Sequence, residues 1–195
     1  MKFWPRSLLV AGTLLLGIAA LACGPDDRRA PMPPDLPEPD GRHPLERAGM
    51  TLYRGEDPPD VVGDYFLDDM KIVYDDRNAV MDFVDYDYHF SSQTADNEIE
   101  MGWEAHDIQD VASGLKGSIE GTAGCFTAYV NMAGSTSGCD YVMENVFSGC
   151  TAPQGILNWY LGFVMLTKTG SNCEVLVPVN HRRILREMDG LAANL

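Results

Sequence analysis

Three residues that could hold a metal ion lie at every second position of the segment "DFVDYDYHFS". They are Asp85, Asp87 and His89. Because successive side chains of a β-strand point to opposite faces, all three would share one face. Carboxylate oxygens suit calcium, and a histidine beside carboxylates suits zinc or iron. The same pattern is typical of the solvated face of an antiparallel strand. The solvated face is favoured, because no calcium-loop spacing follows.

Signals for catalysis are weak in this sequence. It contains no Gly-x-Ser-x-Gly motif, and no glycine-rich phosphate loop precedes a helix. Two facing carboxylates could cleave a glycosidic bond, but such pairs arise easily in a chain with 29 Asp and Glu. We therefore expect a non-catalytic protein without a cofactor. The alternative is a carboxylate- or metal-dependent hydrolase acting on an envelope polymer, with a divalent cation such as calcium.

The segments that must position these residues have the pattern of β-strands. Apolar and acidic residues alternate in 83–91 and again in 98–106, which is the period of a half-buried strand. About eight such segments are separated by short Gly, Ser, Thr and Asn turns. Helical signals are confined to 107–112 and the tail 182–195. The pattern predicts an all-β domain, an antiparallel barrel or a sandwich of about eight strands.

The first 22 residues have the organisation of a secretory signal peptide. Lys2 and Arg6 precede an apolar core at 7–19, which is too short to span a membrane comfortably. The following "ALAC" resembles the lipobox of bacterial lipoproteins, which implies that Cys23 is lipidated and becomes the first residue. Gly24 in place of aspartate then implies the outer membrane, facing the periplasm or the cell surface. The alternative is plain secretion.

Residues 23–48 are predicted to be the lipidated cysteine and a tether. Seven prolines alternate with charged residues there, and the stretch has too little apolar surface to fold alone. Proline-rich chain extends by about 3.1 Å per residue, so this segment could hold the domain up to about 75 Å from its anchor. A ligand for a proline-recognition domain is the alternative. Residues 49–195 are predicted to form one domain.

The charge of the chain limits its partners. The formal net charge of −15 gives no general attraction for nucleic acid or anionic lipid. Expected partners are therefore the membrane, through the lipid anchor, and either a small apolar ligand or an envelope protein.

The cysteine count is consistent with an exported protein. Lipidation would use Cys23, which leaves four cysteines for two disulfides in an oxidising compartment. A zinc site is the alternative, but no Cys-x-x-Cys pair is present. If the strands that begin at Cys125 and Cys139 form a hairpin, these two cysteines lie at opposite ends of it. The predicted pairs are Cys125–Cys150 and Cys139–Cys173, the second reaching past an intervening strand.

The segment 155–168 is apolar on both faces. Trp159, Leu161 and Phe163 alternate with a face that carries Ile156 and Tyr160. One face must fill the barrel, and the other needs a cover such as the C-terminal tail, or it forms a binding patch.

Two stretches resemble a group of bacterial outer-membrane lipoproteins with a β-barrel domain. They are "GMTLYRGEDPPDVVGDY" at 49–65 and "NHRRILREMDGLA" at 180–192. This resemblance implies a location and a fold but no activity.

A second resemblance is to the calycins, the lipocalin-like barrels. Gly63-x-Tyr65 stands where that family has Gly-x-Trp on its first strand, and Arg182 or Arg183 stands where it has a closing arginine. The resemblance implies that one of these arginines stacks on the aromatic ring and closes the barrel, a structural role. It also implies that a small apolar ligand could sit in the barrel mouth.

Overall fold

Ten β-strands and one short helix form the part of the chain that the computed structural model describes, residues 42–78 and 83–195. The predictions for 1–22, for Cys23 and for 24–41 lie outside this part. The helix, α1, is Pro44–Arg47, and a single 3₁₀ turn is Cys173–Val175. The strands are β1 Gly63–Leu67, β2 Met70–Asp75, β3 Tyr86–Ser91, β4 Glu98–Ala105, β5 Asp110–Thr122, β6 Cys125–Thr136, β7 Cys139–Ala152, β8 Gly155–Gly170, β9 Arg182–Glu187 and β10 Leu191–Asn194.

The strands close into a ring of antiparallel pairs. Strands β3 to β8 form a meander in which each strand pairs with the next. Strand β1 lies between β3 and β10, and β10 also pairs with β8, so that eight strands complete the circle. Closure leaves these strands without a free edge, so they offer no unpaired backbone groups to a strand of another chain. The predicted all-β antiparallel barrel is confirmed.

The ring closes along a seam that consists of two interrupted strands. Strands β1 and β2 follow one path with a break at 68–69, and β9 and β10 follow another with a break at 188–190. The two paths pair along their length, from Tyr65 opposite Asn194 to Asp75 opposite Arg183. We call this pairing of β1–β2 with β9–β10 the closing seam.

The helical expectation for 182–195 and 107–112 is wrong. The tail forms β9 and β10 because pairing with β8 satisfies its backbone groups and closes the barrel. Residues 107–109 are irregular, and β5 begins at Asp110.

Alternating side chains of the strands fill the barrel interior. On β3 and β4 the apolar residues predicted to share a face are all buried. At the centre, the Trp159 ring lies 5.3 Å from Tyr88 and 5.8 Å from both Phe90 and Phe147. The Phe126 ring contacts Phe90 at 6.0 Å. These rings occupy the interior with close, mostly tilted or edge-on packing.

A bulge in β8 changes the expected assignment of its faces. Trp159, Leu161 and Phe163 point inward together, as the alternation predicts. Ile156 was expected on the opposite face, yet it is fully buried in the same interior cluster. Asn158 has a φ of 54°, and the pairing of β7 with β8 shifts register beside it. Because of this irregularity, Ile156 faces the interior although the strict alternation places it outside.

The outer face of β8 is covered by the N-terminal segment, residues 44–52, rather than by the C-terminal tail. Leu45 and Met50 are almost fully buried and cluster with Val146 and Ile184. A Cβ atom on Gly162 would lie 2.6 Å from Leu45 Cδ1, so a larger residue there would push the Leu45 side chain aside where the segment docks. Residues 44–48 of the expected tether therefore pack against the barrel.

Two disulfides cross-link the barrel, Cys125–Cys150 and Cys139–Cys173. The predicted pairing is confirmed. Cys125 and Cys150 face each other across β6 and β7. Cys139 lies opposite Gly170, because β7 pairs directly with β8 and the chain turns to Cys173 just beyond. The expectation that the Cys139–Cys173 bond reaches past an intervening strand is therefore wrong, because Cys173 follows directly on the end of β8 beside Cys139.

Candidate functional site

The predicted metal ligands Asp85, Asp87 and His89 lie on the outer side of the barrel and contact different partners. His89 Nδ1 lies 2.7 Å from an Asp64 carboxylate oxygen on β1. The Asp87 carboxylate lies 2.9 Å from His106 Nε2, just after β4. These contacts form two separate carboxylate–histidine pairs at the surface, and such pairs contribute little to stability.

We expect Asp87→Asn to lower the pKa of His106. The hydrogen bond to the Asp87 carboxylate is the main cause of a raised pKa at this histidine. The contribution of the pair to stability is therefore present below the unfolded-state pKa of about 6.5 and is lost as the pH rises through the folded-state pKa. NMR titration of the His106 ring measures the shift. Glu104→Gln is the control, and a His106 pKa equal in the Asp87→Asn variant and the parent protein would contradict the pairing.

The residues expected to close the barrel lie at two different places on the seam. Tyr65 is buried, donates a hydrogen bond to the Val61 carbonyl, and its ring contacts Phe90 and Trp159. Arg183 and Arg182 form ion pairs with Asp75 and Asp76 at the far end of the seam. The expected stacking of an arginine on Tyr65 is replaced by these ion pairs, because the register places β9 beside β2. Gly63 begins β1 beside the Tyr65 hydroxyl.

Side chains from β3, β5 and β7 meet at a carboxylate with two tyrosine partners. The Asp110 carboxylate accepts hydrogen bonds from the hydroxyls of Tyr86 and Tyr141. Burial, and next the negative charge of Asp110, raise the pKa of both tyrosines. Their hydroxyls therefore stay protonated as donors, which suits a structural hydrogen-bond network better than proton transfer.

A group of three carboxylates lies at the two breaks of the closing seam. Asp68 stands between β1 and β2, Glu187 ends β9, and Asp189 stands between β9 and β10. One carboxylate oxygen from each residue lies within 4.8 Å of the other two. We call this group the seam carboxylates.

Glu187 is the buried member of the seam carboxylates. Its side chain is 0% exposed, whereas Asp68 and Asp189 are exposed. Burial is the largest cause that raises the pKa of Glu187, and the negative charges of Asp189 and Asp68 raise it further. Glu187 Oε2 has no hydrogen-bond partner in the described residues, and Oε1 accepts a long 3.4 Å bond from the Asp189 N–H. This carboxylate is therefore poorly satisfied as it stands.

Backbone contacts hold the seam carboxylates in position. The Met188 N–H donates to the Asp69 carbonyl at 3.2 Å and so ties the two breaks together. The Asp189 carboxylate accepts from the Leu191 N–H at 2.8 Å and fixes the turn that leads into β10. Lys71 Nζ lies 3.0 Å from the neighbouring Asp69 carboxylate. No motif in the sequence indicates this group, because only the register of the seam brings its members together.

Two clefts open on the outer surface. One, of about 600 Å³, follows the outer side of β5 to β8 and is lined mainly by small side chains. The other, of about 440 Å³, lies beside His106 and the turn between β6 and β7. Neither contains the seam carboxylates.

Comparison with known proteins gives no guide to a family. No family model, no curated protein and no solved structure matches this chain. Among the residues described here, no helix has the length and hydropathy that a membrane crossing needs.

Proposed function

We propose that this protein is a non-catalytic module of the bacterial cell envelope with a structural or interaction role. It would be attached to the outer membrane through a lipid on Cys23, facing the periplasm or the cell surface. The signal-peptide pattern and the "ALAC" motif support the anchor. Two disulfides support an oxidising compartment, where such bonds persist.

The filled barrel interior is the observation that carries the structural or interaction role. The contacting rings of Tyr65, Tyr88, Phe90, Phe147 and Trp159 take up the space that a ligand-binding barrel leaves free. This packing favours a scaffold whose outer surface makes the contacts over a carrier of a small apolar ligand.

The hydrolase alternative finds its best support in the seam carboxylates. A carboxyl group with a raised pKa beside two other carboxylates is a common arrangement for acid–base chemistry. However, the Glu187 side chain is fully buried, so a polymer chain could not reach it without opening the seam. A hydrolytic role is therefore the weaker proposal.

The proposed anchor is tested with Cys23→Ser in a bacterial host that lipidates its own lipoproteins. The parent chain should appear in the outer-membrane fraction, and the variant should move to the soluble fraction. Asp26→Ser, three residues beyond the lipobox, is the matched control and should leave the distribution unchanged. Membrane association of Cys23→Ser equal to that of the parent would contradict the anchor.

The filled interior is tested with an apolar fluorescent dye added to the purified full chain. Saturable micromolar binding that quenches tryptophan emission would contradict the filled interior and would support the binding of an apolar ligand instead. Dye emission that does not saturate is the expected result.

A further inference from the structure

We propose that Asp68, Glu187 and Asp189 bind one divalent cation, with calcium preferred, at the closing seam. The site differs from the Asp85–Asp87–His89 face, lies outside both surface clefts, and does not depend on the lipid anchor.

The donor atoms and their spacing match a hard cation. All three residues offer carboxylate oxygens, which calcium binds at about 2.3–2.6 Å. Two such bonds on opposite sides of one ion span about 4.6–5.2 Å. The three oxygens lie within 4.8 Å of one another, so one calcium ion can contact all of them with little movement. Magnesium, with bonds of about 2.0–2.1 Å, would require the group to contract further.

The buried carboxylate of Glu187 is a second and independent indication of a ligand. Exposed acidic residues often cluster without binding an ion, but a carboxylate with 0% exposure needs a partner for its charge. Glu187 Oε2 has none within the described residues. The other two carboxylates lie next to it and are exposed, so an ion from solvent would meet them first.

The position in the fold indicates what the cation does. The seam is the place where both paths break, and a 3.2 Å backbone bond from Met188 to Asp69 links the two breaks. An ion bound to Asp68 on one path and to Glu187 and Asp189 on the other would join them. The inferred role is to hold the barrel closed, as a cross-link that depends on the cation concentration.

Calcium binding is measured on the purified full chain after chelator treatment and removal of the chelator. Titration with calcium chloride in a calorimeter should give one site with a Kd of about 10⁻⁴ to 10⁻³ M, as for weak extracellular sites. Calcium chloride at 10 mM should then raise the folding equilibrium constant about 10- to 100-fold. Magnesium chloride at the same concentration should raise it less and serves as the control for charge screening.

Three variants distinguish calcium binding at the seam carboxylates from a general attraction of cations to an acidic protein. Asp68→Asn and Glu187→Gln should each weaken calcium binding at least tenfold, and Glu187→Gln should unfold at a higher temperature than the parent when chelator is present. Asp69→Asn is the matched control and should keep the parent affinity. Equal stabilisation by calcium and magnesium, unchanged in Asp68→Asn, would overturn the proposal. Failure of the parent chain to bind calcium would also overturn it.

Discussion

Trp159→Ala is expected to lower the free energy of unfolding by about 3–5 kcal/mol, the range for large aromatic residues removed from a protein core. Trp159 is fully buried, and its ring contacts four other aromatic rings in the barrel interior. Those rings come from β1, β3 and β7, on both sides of the lumen. Because closed strands cannot collapse inward easily, most of the cavity should remain and the loss should lie in the upper part of the range.

Chemical denaturation followed by circular dichroism measures this loss. Trp159→Phe keeps most of the ring contacts, and the indole N–H of Trp159 has no hydrogen-bond partner in the described residues. The loss in Trp159→Phe should therefore be clearly smaller. Val73→Ala is the surface control, because Val73 is 50% exposed and should change stability by less than about 0.5 kcal/mol. A loss below about 1 kcal/mol in Trp159→Ala would show that the interior is not packed as described.

The alternation of apolar and polar residues predicted the buried face of a strand well where the strand itself is regular. In β4, Ile99, Met101 and Trp103 are buried, while the other face, which carries Glu98, Glu100 and Glu104, is not buried, as period two requires. The pattern fails at Asn158, because a bulge depends on a left-handed backbone residue that the apolar pattern does not reveal. It also fails in 182–195, where local helical preference is overridden by pairing with β8.

The candidate site could not be predicted for a different reason. The segment around Asp85, Asp87 and His89 has ligand types at strand spacing, but the register gives two of them separate partners on β1 and beyond β4. Asp68 and Glu187 lie far apart in the sequence and in segments without a ligand motif. They meet because Met70 pairs with Glu187 across the seam. A site built on register becomes visible only when the strand order is known.

Removing either disulfide is expected to destabilise the barrel by about 3–4 kcal/mol, from the loop-closure entropy that each bond removes from the unfolded chain. The cysteines are 25 residues apart in Cys125–Cys150 and 34 apart in Cys139–Cys173. The longer loop predicts a slightly larger effect for the second bond. That bond also attaches the 3₁₀ turn Cys173–Val175, which has no buried residue of its own to hold it.

The two bonds are compared by replacing each pair with serines, Cys125→Ser with Cys150→Ser and Cys139→Ser with Cys173→Ser. Both double variants should unfold at a lower denaturant concentration than the parent, and non-reducing peptide mapping of each should still find the remaining bond. Reduction of the parent should cause a larger loss than either double variant, because it removes both cross-links from the unfolded chain. A joined Cys125–Cys139 peptide would contradict both the pairing and the register of β6 and β7. A loss below about 1 kcal/mol for both pairs would show instead that the unfolded chain without the bonds retains structure that already restricts these loops.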